Sequence, residues 1–300
     1  MTIFVCLCKK LAKMKELGIA FGGGGARACA QCGAVQALRE YGVKPDIVSG
    51  TSAGAIMAVL YSAGLSSQQL VDLFEGLDFF KDIVTPEVPR GGMFSSAPLL
   101  ALLRSILPYK NLEDLPVPTY VVASDLEKGC VKIFKEGEIA PRVVASCSIP
   151  IIFTPIKIDG VHYVDGGVFQ NLPVPAIREE CRKVISFSLL HLEDEKYHDN
   201  LISVANRSFN MILASNELAD MRLSDLDVKL DTSGCNAYDL SKLEILFKRG
   251  YRQTCEMLEE QGYRRVLEPE TIVFKQKEEN KTENLRSIRP LKEAIARLNR

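Results

Sequence analysis

The sequence of 300 residues lacks the marks of several large protein classes. It has no unbroken apolar run of about 18 residues or more, which a membrane-spanning helix needs. Its formal net charge is −1 and it shows no dominant basic patch, so we expect no nucleic acid as a partner. With 47% hydrophobic and 25% charged residues, the composition is ordinary for a globular protein.

Cysteine is present nine times, an odd number, and the scattered positions do not form a disulfide framework. Free thiols in this number favour a reducing compartment, so we expect a cytoplasmic protein, with peripheral membrane contact as an option. Cys29 and Cys32 form a C-x-x-C pair, but a zinc site would need a second pair, and a redox pair would stand at the start of a helix. We interpret the pair as small residues in a closely packed helix, and expect no metal and no cofactor.

The first part of the chain alternates between strand and helix patterns. An apolar run at 17–21 stops at four glycines, and helical spacing follows over 26–41. A second apolar run at 46–49 precedes a small, apolar helical segment at 53–63. This alternation predicts an α/β fold in which a mostly parallel central sheet is sandwiched by helices.

The chain shows no internal repeat and no clear linker, so we expect one domain over 17–272. Its core would be 17–190, with a helical continuation over 199–262. Residues 1–16 are expected to form a flexible extension, because their apolar stretch precedes the lysines, the reverse of a signal peptide. Residues 275–300 form a charged tail with eight Lys or Arg against four Glu, typical of a solvated or disordered end.

The segment Gly50-Thr-Ser-Ala-Gly54 matches the pattern G-x-S-x-G between a predicted strand and a predicted helix. This is the context of a nucleophile elbow, in which Ser52 would occupy a strained, exposed turn that flanking side chains would obstruct. The N-terminus of the predicted helix that follows Ser52 would stabilise negative charge that develops near the hydroxyl group. The alternative is a purely structural turn, and the motif alone does not decide between them.

The segment Gly22-Gly-Gly-Gly-Ala-Arg27 ends a predicted strand. Successive glycines can aim backbone N–H groups into one small volume, which suits an oxyanion or a phosphate. The rival interpretation is a dinucleotide-binding loop, but G-x-G-x-x-G counted from Gly23 would need glycine at position 28, which is Ala28.

The segment Asp165-Gly-Gly167 follows an apolar strand pattern. An aspartate at the end of a strand beside glycines can project into a cleft, where its carboxylate can serve as a base. An ordinary turn is the alternative, since Asp-Gly is common in turns.

In this order, the three motifs resemble the patatin-like phospholipase family. The family has a glycine-rich oxyanion loop that ends in a basic residue, then G-x-S-x-G, then D-G-G or D-G-A. Two linking stretches add to the resemblance, Ala123-Ser-Asp-Leu126 and Ala145-Ser-Cys-Ser-Ile-Pro150, and it covers about residues 17–190. Ala28 departs from the family, which often has glycine there, and this leaves the shape of that turn open.

The resemblance implies a patatin-like, Rossmann-type hydrolase fold and a serine lipid acyl hydrolase, either a phospholipase A or a carboxylesterase. It implies a Ser-Asp dyad that works through an acyl-enzyme, with Ser52 as nucleophile and Asp165 as base. The other implied site residues are the oxyanion-loop residues Gly23, Gly24, Gly25 and Arg27, the elbow glycines Gly50 and Gly54, and the glycines of the Asp turn, Gly166 and Gly167.

The chain has three histidines, which leaves a Ser-His-Asp triad as the alternative to a dyad. His162 lies three residues before Asp165 on a predicted strand, so its side chain should point to the opposite face. His191 and His198 fall in a polar segment where we expect solvation.

Two other functions stay open on the same scaffold: an acyltransferase with the same dyad, and a non-catalytic lipid-binding protein. The expected partner is a lipid or ester substrate, with transient contact with a membrane surface; the oligomeric state is left open. Apolar residues after the elbow are expected to form an acyl groove or cap, with core packing as the alternative: Phe79, Phe80, Met93, Phe94, Leu99, Leu100, Leu102 and Leu103.

Overall fold

A computed structural model of the chain describes residues 14–77, 85, 86, 91–189, 192, 194, 196, 197, 199 and 201–275. The extension expected at 1–16 and the charged tail expected at 275–300 therefore lie almost wholly outside the described residues. The same holds for Phe79, Phe80, His191 and His198.

The described part of the chain alternates between strands and helices over most of its length. The strands are β1 (Lys15–Phe21), β2 (Ile47–Thr51), β3 (Thr85–Pro86), β4 (Gly92–Ser95), β5 (Thr119–Asp125), β6 (Cys130–Phe134), β7 (Ile151–Phe153), β8 (Ile156–Ile158), β9 (Val161–Asp165), β10 (Cys181–Ser188) and β11 (Leu226–Lys229). The α-helices are α1 (Cys29–Glu40), α2 (Ala53–Ser62), α3 (Ser67–Glu75), α4 (Ala97–Ile106), α5 (Ile139–Ser146), α6 (Pro175–Arg178), α7 (Leu201–Met221) and α8 (Leu243–Glu260). None of these helices is both long and apolar enough to span a bilayer.

The main sheet has the strand order β11-β10-β1-β2-β5-β9-β8, and β6 also pairs with β5. The strands from β11 to β5 run parallel, whereas β9 and β6 pair antiparallel with β5. A small separate sheet consists of β3, β4 and β7. The predicted α/β fold with a mostly parallel central sheet is confirmed, with antiparallel strands at one edge.

Helices cover the sheet on both faces, and the side chains of β1 show why. Ile19 and Phe21 point into the larger hydrophobic cluster, whereas Ala20 between them joins a second cluster with Ile47 and Ile177. Because successive side chains of a strand point to opposite faces, a strand with two buried faces reads as a continuous apolar run. The apolar run expected at 17–21 has this arrangement.

The helical continuation expected at 199–262 is present as α7 and α8, but a strand that the sequence did not predict lies between them. This strand, β11, pairs parallel with β10 at the edge of the sheet. Its Asp227 accepts hydrogen bonds from the hydroxyl groups of Ser186, at 2.5 Å, and Ser188, at 2.8 Å. A strand of only four residues is too short to give a clear periodic signal.

Helices α1 and α8 pack with their backbones in contact. A Cβ atom at Gly250 would lie 1.9 Å from the carbonyl oxygen of Ala30, and one at Gly33 would lie 2.0 Å from that of Phe247. The Cys29 and Cys32 side chains are fully buried in α1. This contact fixes the position of the helix that follows the glycine loop.

A segment without regular structure, residues 263–275, follows α8 and crosses α1 and α3. The Val266 N–H donates to the Glu40 carbonyl at 2.8 Å, and Gln36 Nε2 donates to the Glu270 carbonyl at 2.7 Å. Gln68 Nε2 on α3 donates to the Val273 carbonyl at 2.9 Å. We call residues 263–275 the C-terminal strap.

Replacing Gly250 with alanine tests the contact between α1 and α8. We expect Gly250→Ala to lower the free energy of unfolding by about 3 kcal/mol, because the new methyl group meets a backbone carbonyl that cannot rotate away. Urea denaturation would measure the loss. Glu260→Ala, at an exposed position of α8, should change stability by no more than about 0.5 kcal/mol. Equal stability of the two variants would contradict the close approach.

Candidate active site

Ser52 occupies a strained turn between β2 and α2. Its backbone has φ 54° and ψ −128°, a left-handed conformation that residues other than glycine seldom adopt. Side chains at the flanking glycines would collide with backbone: a Cβ at Gly50 would lie 2.3 Å from the Gly54 carbonyl oxygen, and one at Gly54 would lie 2.2 Å from the Phe21 carbonyl oxygen. The G-x-S-x-G segment therefore has the geometry of a nucleophile elbow.

Ser146, at the end of α5, supports the elbow from below. The Ser52 N–H donates to Ser146 Oγ at 2.8 Å, and Ser146 Oγ donates in turn to the Val122 carbonyl at 2.5 Å. Ser146 is fully buried. This relay holds the Ser52 backbone against β5 in its strained conformation.

Asp165, the last residue of β9, contacts the Ser52 hydroxyl directly. Ser52 Oγ donates to Asp165 Oδ2 at 2.7 Å, although 113 positions separate the two residues. The second carboxylate oxygen, Oδ1, accepts the Gly167 N–H at 2.8 Å. Gly166 and Gly167 begin a turn of 3₁₀ helix directly after the strand. The structure thus brings the Asp turn and the elbow together.

The sheet register explains how the two residues meet. Strand β5 lies between β2 and β9, with Thr51 opposite Val122 and Asp165 opposite Ala123. Because β9 runs antiparallel to β5, its last residue comes level with the end of β2. The Ser52 and Asp165 side chains then meet across a single strand.

Burial sets the acidity of the Asp165 carboxyl group. The side chain is buried, with 1% exposure, and this burial raises its pKa from 3.8 to about 7. The hydrogen bonds from Ser52 and the Gly167 N–H act in the opposite direction. A carboxylate with a pKa near neutrality is a far stronger base than an ordinary aspartate, so this group can accept a proton from a hydroxyl.

Three glycines of the loop after β1, Gly23, Gly24 and Gly25, lie beside the elbow, and their N–H groups differ in whether they have an acceptor. The Gly23 N–H donates to the Asn171 carbonyl at 3.1 Å, so it is already occupied. The N–H groups of Gly24 and Gly25 have no acceptor among the described residues, and both glycines line the same cavity as Ser52. Of the three N–H groups expected to bind an oxyanion, those of Gly24 and Gly25 are therefore available to a ligand in the cavity, whereas that of Gly23 is not.

Arg27 braces the loop from the side of the segment before α8. Its Nε donates to the Cys235 carbonyl at 3.1 Å, and the Ala26 N–H donates to the Ala237 carbonyl at 2.7 Å. The Arg27 side chain also lines the cavity. Ala28, the departure from the family pattern, has a φ of −60°, which any L-residue adopts, so the turn does not require glycine at that position.

An apolar cavity of about 110 Å³ opens at Ser52 and Asp165. Helices α3 and α4 supply much of its wall. Of the residues expected to form an acyl groove, Leu99, Leu102 and Leu103 line it, whereas Phe94 packs against Phe153 in a separate small cluster. The other apolar wall residues from these helices and from α2 are Ile56, Leu73, Phe74 and Ile106.

Among the described residues, the titratable side chains that line the cavity besides Asp165 are Arg27, Cys147 and Tyr238. His162 points away from the elbow: the side chain is 44% exposed and its Nδ1 lies 2.6 Å from Glu127 Oε1. Cys147 lines the cavity, and burial, with the nearby charge of Asp165, raises the pKa of its thiol well above the usual range. In the described ranges, no group of three or more His, Cys, Asp or Glu side chains is arranged to hold a metal ion.

A comparison with protein-family models identifies the chain. The model of the family described as patatin-like phospholipase matches residues 19–177, more than half of the 300 residues. The chain belongs to the patatin-like phospholipase family. The matched segment contains the glycine loop, the elbow and the Asp turn, so the resemblance inferred from the three motifs is confirmed.

Curated patatin-like relatives agree with this assignment. The chain is 32% identical over 186 residues to mouse patatin-like phospholipase domain-containing protein 7, an alignment that covers 59% of this chain and 14% of that protein. It is 30% identical over 173 residues to an uncharacterized NTE family protein of Mycobacterium bovis, which covers 54% of this chain and 45% of the relative. The alignments thus span less than half the length of these relatives.

VipD from Legionella pneumophila shares the fold with a TM-score of 0.52 and 16% identity. The superposition covers 83% of this chain and 67% of that chain. At this identity the likeness concerns the fold alone.

Helix α7 brings polar residues to this patatin-like site that sequence reasoning missed. Asn206 and Asn210 line the cavity, and Asn216 and Glu217 contact the loop around Asn171. A signal was present, because Asn206, Asn210 and Glu217 recur at helical spacing and lie on one face, with Leu213 between them. The helix follows the Asp turn by more than 30 residues, and nothing in the sequence indicated which element that face contacts.

Stability measurements at two pH values test the buried state of Asp165. A pKa raised to about 7 means that the folded protein binds this proton more tightly than the unfolded chain. The carboxyl group therefore stabilises the fold most at low pH, and that contribution is lost as pH rises through about 7. We expect Asp165→Asn to have a higher Tm than wild type at about pH 8, and a smaller difference at about pH 5.

Differential scanning calorimetry would measure both values. Glu136→Gln, at an exposed position, serves as the control and should give no pH-dependent difference. A Tm difference for Asp165→Asn that does not change with pH would contradict the raised pKa.

Proposed function

We propose that the chain is a serine lipid acyl hydrolase that cleaves carboxylic esters, as a phospholipase A or a carboxylesterase does. Ser52 is the nucleophile and Asp165 is the base. The observation that carries the proposal is the 2.7 Å hydrogen bond from a strained serine to a buried carboxylate at an apolar cavity. The family and the mouse relative are both described as patatin-like phospholipases, which supports an ester of a lipid as substrate.

The reaction follows from the positions of the groups. Asp165 Oδ2 accepts the hydroxyl proton while Ser52 Oγ attacks the ester carbonyl carbon. The negative charge that develops on the carbonyl oxygen is stabilised by the N–H groups of Gly24 and Gly25. When the tetrahedral intermediate collapses, Asp165 returns the proton to the departing alcohol, and the acyl group stays on Ser52.

The second half of the reaction uses the same groups. Asp165, ionised again, takes a proton from a water molecule as that water attacks the acyl-enzyme carbonyl. The proton then passes to Ser52 Oγ as the carboxylic acid leaves. A base with a pKa of about 7 suits both steps near neutral pH, because it is ionised often enough to act and basic enough to take a proton.

The positions of α4 and α5 in the cavity wall indicate the direction in which the acyl chain extends from Ser52. Arg104 Nε near the end of α4 pairs with Glu138 Oε1, which precedes α5, at 2.7 Å. Cys147, just after the end of α5, lines the cavity beside Ser52. The end of α4 thus meets the start of α5, whereas the end of α5 lies beside Ser52, and we infer from this that Ile106 lies toward the cavity end remote from Ser52. It lies about 10 Å beyond Leu99, at 1.5 Å per residue of helix.

Substitution of the dyad tests the proposed activity. We expect Ser52→Ala and Asp165→Asn each to lower kcat/KM for a p-nitrophenyl ester by on the order of 10⁴-fold or more, because nucleophile and base act as one unit. Circular dichroism should show both variants folded. Ser105→Ala and Asp114→Asn, which replace the same residue types at exposed positions, should keep wild-type rates. Full activity of Ser52→Ala would refute the assignment.

Two further readouts separate the other functions on this scaffold. A fluorophosphonate probe should label wild type at Ser52 and leave Ser52→Ala unlabelled, whereas a non-catalytic lipid-binding protein would take up no label. Product analysis with added alcohol should yield free fatty acid as the main product; a dominant ester product would assign an acyltransferase.

A larger side chain at the remote end of the cavity tests its role as an acyl site. We expect Ile106→Phe to lower kcat/KM for a palmitate ester by at least about tenfold while it leaves butyrate turnover nearly unchanged, because only the longer chain reaches that end. Ala101→Phe places the same side chain on the exposed face of α4 and should affect neither ester. Equal losses for both esters in Ile106→Phe would contradict the proposed chain direction.

A further inference from the structure

Asn171 contacts the glycine loop through both its backbone and its side chain. Its carbonyl oxygen accepts the Gly23 N–H at 3.1 Å, and its Nδ2 donates to the Gly23 carbonyl at 3.2 Å. The side chain is fully buried. A Cβ atom at Gly23 would lie 2.5 Å from Asn171 Oδ1 and 3.0 Å from Ser52 Cβ, so the loop is in close contact with both residues.

The contact with the Gly23 carbonyl determines where the next N–H points. The Gly23 carbonyl and the Gly24 N–H belong to one planar trans peptide, so they point in opposite directions. With the carbonyl directed at Asn171, the Gly24 N–H is directed away from Asn171, and Gly24 lines the cavity with Ser52. Four successive glycines have little conformational preference of their own, so this peptide plane needs an external restraint.

Glu217 on α7 holds the Asn171 amide in the required orientation. Asn171 Nδ2 donates to Glu217 Oε2 at 2.5 Å, and Glu217 is buried, with 3% exposure. The Gly23 carbonyl can only accept a hydrogen bond, so the amide nitrogen has to face it. The Glu217 oxygen reinforces that orientation, because it accepts a hydrogen bond from the same amide nitrogen, which the amide oxygen could not donate.

Asn216, the neighbour of Glu217, extends the connection to the Asp turn. Its Oδ1 accepts the Asn171 N–H at 3.0 Å, and its Nδ2 donates to the Gly167 carbonyl at 2.7 Å. The Gly167 N–H in turn donates to Asp165. Helix α7 thus touches both the oxyanion loop and the turn that carries the base.

We propose that Asn171 and Glu217 are positioning residues that direct the Gly24 N–H at the oxyanion formed during ester cleavage. The effect of both side chains passes through the Gly23–Gly24 peptide, which Asn171 contacts directly and Glu217 contacts through Asn171. This assignment rests on the proposed hydrolase function. It extends that function to α7, an element outside the three motifs.

A trifluoromethyl ketone with an acyl chain provides the test. Ser52 Oγ would add to its carbonyl carbon, with the hydroxyl proton passing to Asp165, and give a tetrahedral adduct whose oxyanion needs the same N–H donors. The inhibition constant of this ketone is compared with kcat and KM for the matching ester in wild type, Asn171→Ala, Glu217→Ala and Glu217→Gln.

We expect Asn171→Ala to lower kcat by on the order of 10²-fold, as loss of one oxyanion donor does. The inhibition constant of the ketone should rise by a similar factor. KM should stay within about twofold, because the restrained N–H acts on the transition state. Glu217→Ala should show the same pattern with a loss of about tenfold, and Glu217→Gln, which keeps an acceptor oxygen, should lie closer to wild type.

The control is Glu40→Ala. Glu40 is another carboxylate with 3% exposure, it accepts a hydrogen bond from Gln36, and it lies at the far end of α1, about 16 Å along the helix from its start. We expect this variant to lose stability but to keep the wild-type inhibition constant. This separates a general loss of packing from a loss of oxyanion stabilisation.

Three outcomes would overturn the inference. They are unchanged ketone inhibition in a folded Asn171→Ala, unchanged inhibition in Glu217→Ala, and equal losses in Glu217→Gln and Glu217→Ala. If Asn171→Ala does not fold, the comparison of Glu217→Ala with Glu217→Gln decides whether the positioning role holds. Wild type that hydrolyses no ester would refute the proposed function itself, whereas active wild type with insensitive variants would refute the positioning role alone.

Discussion

The site depends on one contact, the hydrogen bond between a hydroxyl held in a strained turn and a carboxylate withdrawn from water. Neither group could keep its state alone. The turn at Ser52 persists because two glycines let backbone approach backbone and because Ser146 holds its N–H. Among the described residues, no cation offsets the burial of the Asp165 carboxyl group, so the hydrogen bonds from Ser52 and the Gly167 N–H are what favour its ionised form. Ionisation of Asp165 destabilises the fold, and the ionised form is the one proposed to act as a base, so the proposed function links stability to reactivity in a single side chain.

The antiparallel edge of the sheet has a chemical role as well as a structural one. In the observed arrangement the chain leaves Asp165 and passes at once into the segment with Asn171, which returns to the glycine loop. The proposed base and the residue proposed to restrain the glycine loop are therefore only six positions apart in sequence (171 − 165).

The alternation of strand and helix patterns allowed the α/β architecture to be predicted. The three glycine-containing motifs allowed the family and the residues of the candidate dyad to be predicted, because each motif reports a local steric demand. Gly50 and Gly54 are such a case: the need for glycine is visible in the sequence, and the structure shows the backbone atoms that impose it. Long-range features could not be predicted. Strand β11 is too short for a periodic pattern, and its pairing with β10 depends on Asp227 meeting Ser186 and Ser188. The sequence shows the polar positions of α7 but not the loop that they contact, because Glu217 and Asn171 are 46 positions apart.

The C-terminal strap has a consequence for where this unit can be cut. The last helix, α8, ends at Glu260, and a boundary drawn there would look natural on secondary structure alone. Removal of the strap would take away the backbone partners of Gln36 and of the Glu40 carbonyl, and it would uncover Phe247, which packs edge-on against Phe274 at 5.4 Å between ring centroids. A recombinant fragment, a fusion junction or a protease-resistant core of this chain should therefore extend through residue 275, so that the folding unit is closed by a stretch with no regular structure.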